Sequence, residues 1–153
     1  MNSKVSSLPP WIFPATYAIH IAEEACCGET FPGWISRVGG VHFTTRGFVV
    51  VNSIAMVAMV LVVLATARFD RARFLRATLA TIVLVNGLAH TIGTAVTWSY
   101  SPGLWSGALL WVPLGATVLL GETRALPRRQ MVTGVALGFL AHAGVSSTLL
   151  VAW

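Results

Sequence analysis

Apolar runs long enough to cross a bilayer alternate with short polar segments along this 153-residue chain, and a pair of adjacent glutamates interrupts the first of them. A helix needs roughly 20 apolar residues to traverse the hydrocarbon layer. Runs at about 10–27, 47–67, 75–98, 103–121 and 131–152 therefore predict five transmembrane helices. The expected fold is all-α: a polytopic helical bundle, with residues 1–153 forming a single membrane domain. Arg68, Arg71, Arg73 and Arg76 lie between the second and third runs, and Arg124, Arg128 and Arg129 between the fourth and fifth. The opposite side carries only Arg37 and Arg46. The positive-inside rule then places the N-terminus and Lys4 in the cytoplasm and the C-terminus at Trp153 outside. The glycine-rich stretch 28–46 reads as an outer loop lying partly on the membrane surface, a lid in waiting.

Composition supports this frame and removes others. The chain is 56% hydrophobic and 10% charged, against about 25% charged residues in an average soluble domain. Its net charge of +5 sits in short arginine clusters rather than a stripe, so membrane lipids, not nucleic acid, are the expected partners. No cleavable signal peptide is expected, because the first apolar run is broken by His20, Glu23 and Glu24. No nucleotide-binding or haem motif is present. Trp11, Trp34, Trp98, Trp105 and Trp153 fall at run ends or in loops, as interfacial aromatics do, and Trp111 is expected to be buried. Cys26 and Cys27, being adjacent, cannot form an ordinary bridge and are expected to pack as small apolar residues.

An ionisable side chain at membrane depth costs at least about 2.5 kcal/mol, so such residues mark functional sites by default. Positions three and four apart share a helix face, which groups Thr16, His20, Glu23, Glu24 and Cys27 on the first helix. Asn86, His90, Gly93, Thr94 and Thr97 group likewise on the third. Gly134, Gly138 and His142 follow at four-residue steps on the fifth, where small residues allow close helix approach; this stripe suits an internal contact or a homodimer face. At ~1.5 Å per residue, His20, Glu23, Glu24, Asn52, Asn86, His90 and His142 fall in one slab, roughly 15 to 20 Å above the inner boundary.

The motifs His20-x-x-Glu23-Glu24, Asn86-x-x-x-His90 and Tyr100-x-Pro102-Gly103 occur in this order over about half of the chain. Together they resemble the HXXEE family of small bacterial membrane proteins. The resemblance adds weight to those residues and implies a bacterial inner (plasma) membrane location, but no activity. His142 and Asn52 rest on the depth count alone.

Imidazoles and carboxylates converging in a dry cavity are what zinc or non-haem iron binds. His20, His90 and His142 with Glu24 are the expected ligands of one divalent ion. Glu23, Glu24, Asn86 and Tyr100 are the expected catalytic groups, acting on a hydrophobic or lipid-like small molecule. A four-carboxylate dinuclear site is excluded by count, since Glu29, Asp70 and Glu122 fall in loops. A metal-free alternative uses the glutamate pair as proton donor and acceptor in isomerisation, cyclisation or epoxide opening. A third is proton- or cation-coupled transport or sensing. Mere helix glue is disfavoured, because interhelical hydrogen bonds in membranes average only about 0.6 kcal/mol.

Overall fold

A computed structural model describes residues 8–148. Among these residues the chain is helical without strands: α1 Ile12–Cys26, α2 Phe31–Gly39, α3 Thr45–Arg68, α4 Leu75–Thr97, α5 Leu104–Ala125 and α6 Arg128–Ser147. A 3₁₀ turn at Asp70–Ala72 joins α3 to α4, and α5 contains a π-helical stretch at Gly107–Trp111. Three helices, α3, α4 and α5, are long and apolar enough to cross a membrane. The first expected span contracts to the 15 residues of α1, about 22 Å at 1.5 Å per residue. The last expected span ends, with Trp153, outside the described residues, as do Lys4 and both termini. Outward-facing Ile54, Val57, Leu61 and Leu64 on α3, all heavily exposed, form a surface suited to hydrocarbon.

The segment 28–46 is more structured than a surface loop. Thr30 accepts the Gly33 N–H through its side chain, Pro32 sits in the first turn, and Gly40 closes the helix in the left-handed region, the usual start and stop chemistry of a helix. The resulting α2 lays Trp34 inward against Gly93, so Trp34 is buried, not interfacial. Cys26 and Cys27 are also placed differently from expectation: both are free and exposed, at the C-terminal end of α1.

Helix α4 is the centre, flanked closely by α5 and α6. Glycines permit this. A Cβ on Gly87 would lie 2.6 Å from the Gly107 carbonyl oxygen, one on Gly134 2.5 Å from that of Phe74, and one on Gly138 2.5 Å from Thr81 Cβ. Gly134 and Gly138 are thus spent on α4 within a single chain. Gly138→Ala should lower stability by about 1–3 kcal/mol through overpacking, read as a drop in thermal midpoint in detergent.

At the arginine-rich end, Glu122 is buried on α5 rather than solvated in a loop. Arg76 Nε donates to it at 2.9 Å, and Arg73 lies 3.4 Å away. The ion pair ties α4 to α5, and Arg76 also donates to the Leu8 carbonyl.

Candidate functional site

Adjacent residues on a helix point about 100° apart, so Glu23 and Glu24 cannot serve one neighbour. Glu24 turns with His20, one turn below it, towards α4. Glu23 turns towards the start of α5. The packing of α1 against both helices therefore gives the two carboxylates different tasks.

Glu24 Oε1 lies 3.3 Å from His90 Nε2 and 3.6 Å from His20 Nε2, with all three side chains buried. Their ligand-type atoms lie within 4.8 Å of one another, close enough to hold a metal ion. The two imidazoles meet edge-on with ring centroids 5.0 Å apart. Trp111 stacks on His20 at 3.8 Å, and Phe31 from α2 meets His90 at 5.6 Å. These rings fix both imidazoles and exclude water.

Glu23 is saturated by donors. Its Oε1 accepts from the Tyr100 hydroxyl at 2.6 Å and the Trp105 N–H at 2.9 Å. Its Oε2 accepts from the Ser106 N–H at 2.7 Å and the Ser106 hydroxyl at 2.5 Å. A carboxylate here meets the positive end of α5 and two of the N–H groups a helix start leaves unpaired. Tyr100, in the loop before α5, has its phenol pKa pushed well above the ordinary value, first by burial and then by this bond to Glu23.

The Glu23 network fixes protons farther in. Ser106 gives its one hydroxyl hydrogen to Glu23, so Ser106 Oγ can only accept from His20 Nδ1, 2.7 Å away. His20 is thereby held as the Nδ1–H tautomer, with the Nε2 lone pair bare. Nε2 is fully buried and makes no hydrogen bond. Ser101 Oγ stands 2.9 Å from His90 Nδ1, and the Ser101 N–H is anchored on Thr94. Both imidazoles thus present Nε2 to Glu24. Second partners of this kind orient metal-binding histidines.

Gly103 lies directly beneath both rings. It has φ +97°, and a Cβ there would sit 2.8 Å from His20 Cε1 and 2.9 Å from His90 Cε1. Only glycine lets the Tyr100–Gly103 turn run this close under the imidazoles while adopting that backbone conformation.

The cluster opens into a cavity of about 320 Å³ bounded by α1, α3, α4 and α6. Asn86 lines it one turn from His90, and its Oδ1 is buried without a partner. Tyr17 donates to Asn52 Oδ1 at 2.6 Å on another part of the wall. His142 lines the α6 side but stands outside the His20–Glu24–His90 group. The remaining wall is almost wholly apolar. At the surface, Glu29 and Arg37 of the lid region pair at 2.6 Å, which lowers the Glu29 pKa.

Of the residues singled out in the sequence, the structure sets His20, Glu24 and Asn86 on one cavity, brings His90 against Glu24, and links Glu23 to Tyr100 behind them. The sequence reading missed Ser101 and Ser106. Their signal was faint: two serines flanking the Pro102-Gly103 turn, one at each side of a helix start.

An all-helical chain with three helices fit to cross a membrane, carrying a buried His/Glu cluster built on spaced motifs, defines a narrow class. The chain belongs to the family described as "Protein of unknown function with HXXEE motif", whose profile matches residues 11–118. That stretch holds the whole cluster and its serine partners; His142 lies outside it. No curated protein and no solved structure matches the chain.

Proposed function

We propose that the protein is an integral membrane enzyme that binds one divalent metal ion, zinc or non-haem iron, through His20, Glu24 and His90, and acts on a hydrophobic substrate. The observation that carries this reading is the bare, buried Nε2 of His20, held in one tautomer and aimed with His90 Nε2 at a single carboxylate. A lone pair facing a carboxyl group in a dry site needs a metal ion or a proton between them, and two imidazoles sharing one carboxyl oxygen favour the ion. Two histidines and one carboxylate with an open fourth position is the donor set of catalytic rather than structural zinc. Such an ion supplies a Lewis acid or an activated water.

The chain's own groups would then divide the work. Asn86, whose Oδ1 is unpartnered at the His20–Glu24 end of the cavity, orients a polar group of the substrate. Trp111 and Phe31 keep bulk water out. Glu23, with Tyr100 and Ser106, holds His20 in its metal-binding form. His142 faces the substrate space from α6. The arginine-rich connections gather at one end of the bundle, which suits a bacterial plasma membrane protein with those ends in the cytoplasm and the site towards the outer half.

Elemental analysis of the purified protein tests the reading. About one zinc or iron per chain is expected, falling below a tenth of that in His90→Ala and Glu24→Gln. Metal-free wild-type protein that cannot be loaded would overturn it in favour of a proton shared between Glu24 and an imidazole, the acid/base alternative.

A further inference from the structure

The cavity's shape narrows what the site can take. From Phe48 to Val62 on α3 it runs fourteen residues, about 21 Å at the helical rise. On α4 it runs from Asn86 down to Thr78. His20, Glu24 and Asn86 converge at one end, where two of the three carry a buried atom with no partner, while at the Thr78 end one hydroxyl, Thr78 Oγ1, is likewise buried without a partner. Below Asn86 the α4 wall continues for eight residues to Thr78, about 12 Å at the helical rise, the length of an extended chain of about ten carbons.

The cavity also has a side door. Helices α3 and α6 both pack on α4 but make at most marginal contact with each other. Ala58 on α3 and Ala141 and Val145 on α6 line the cavity, yet all three are exposed. Small residues on both lips leave a slit that faces the direction of the exposed α3 surface. The motif end, by contrast, is covered by α2, through Phe31 against His90 and the buried Trp34.

From this we infer that the substrate is a single-chain amphiphile with a tail of about ten carbons, entering from the bilayer between α3 and α6. Its oxygen-bearing head lies at His20, Glu24 and Asn86. The inference deepens the metalloenzyme reading and rests on it for the chemistry at the head, while the tail site stands on the cavity alone. In a bilayer the tail gains little by leaving lipid chains that are equally apolar, so recognition comes from the head group and from fit.

The test uses a ten-carbon hydroxamic acid carrying a diazirine at the chain terminus, photolysed with the full chain in nanodiscs and mapped by mass spectrometry. Adducts are expected at Ala55, Ala58, Val62 and Ala141, and unlabelled decanohydroxamic acid should suppress them at least tenfold better than n-decane. Octadecanohydroxamic acid should compete at least fivefold less well than the ten-carbon compound. Ala58→Trp, and independently Ala141→Leu, should cut cavity adducts at least fivefold while circular dichroism stays unchanged. If metal is absent, 1-decanol should compete as well as the hydroxamate while the cavity adducts persist; that outcome removes the metal and keeps the chain site. Adducts confined to Ile54, Val57 and Leu61, without saturation, overturn the chain site even if the protein holds metal.

Discussion

Glu23→Gln should weaken metal binding by about ten- to a hundredfold although Glu23 touches no ligand atom of the cluster, the range seen when outer partners of metal ligands are removed. The two side chains are nearly isosteric, so the effect comes from hydrogens. Glu23 accepts four hydrogen bonds, two on each oxygen. A carboxamide has one accepting end and one donating end. With its NH₂ turned to Trp105 and Tyr100, it opposes the Trp105 N–H. With its NH₂ turned to Ser106, it opposes the Ser106 N–H and makes the serine hydroxyl an acceptor. That hydroxyl then donates to His20 Nδ1, and the imidazole proton moves to Nε2, where it blocks the lone pair. The ¹⁵N spectrum of histidine-labelled, metal-free protein reads this directly: a protonated δ nitrogen on His20 in the wild type and a protonated ε nitrogen in the variant. Ser106→Ala should lose affinity similarly, and Ser106→Thr, which keeps the hydroxyl, should recover it. Equal tautomers in wild type and Glu23→Gln would sink the relay. A general loss of helix content would instead show Glu23 acting only as a cap for α5.

The meeting of His20, Glu24, Asn86 and His90 was legible in the sequence because membrane depth makes polar residues scarce and helix rise makes their height countable. Height is one coordinate. Rotation is another, and it decides that Glu24 faces α4 while Glu23 faces α5; nothing in the spacing of two adjacent residues specifies which neighbour each will find. The serines were hidden for a related reason. A hydroxyl is cheap to place almost anywhere, so Ser101 and Ser106 carry no energetic flag comparable to a buried glutamate. Glu122 shows the opposite failure. It lies among arginines at the end of an apolar run and reads as a solvated loop residue, yet Arg76 pays for its burial by pairing at 2.9 Å. In α2 the evidence was present but outweighed: Thr30 followed by Pro32 is a helix-start signature, and the glycines around it made the stretch look like loop.

Gly103→Ala should dismantle the cluster with the addition of one methyl group. The residue sits at φ +97°, outside the region an alanine occupies comfortably, at a cost of about 1–3 kcal/mol. The new methyl would lie 2.8 Å from His20 Cε1 and 2.9 Å from His90 Cε1, with His90 Nδ1 at 3.1 Å, and overpacking of a filled interior adds a similar amount. The rings have little room to retreat, since Trp111 is stacked on one and Phe31 abuts the other. Relief must come from parting the imidazoles or lifting the turn. Parting them breaks the shared approach to Glu24; lifting the turn pulls Ser101 and Ser106 from His90 and His20 and draws the α5 N-terminus off Glu23. Both routes end in the same two readouts, a thermal midpoint lowered by a loss of about 3 kcal/mol or more and metal content near zero. Gly107→Ala is the comparison, because a Cβ there meets the Gly87 backbone at 3.1 Å and His90 Cβ only at 3.7 Å. It should loosen the α4–α5 contact while leaving the bound metal largely in place. If Gly103→Ala keeps its metal and its stability, the turn does not form the floor of the site, and the cluster owes its geometry to the helices alone.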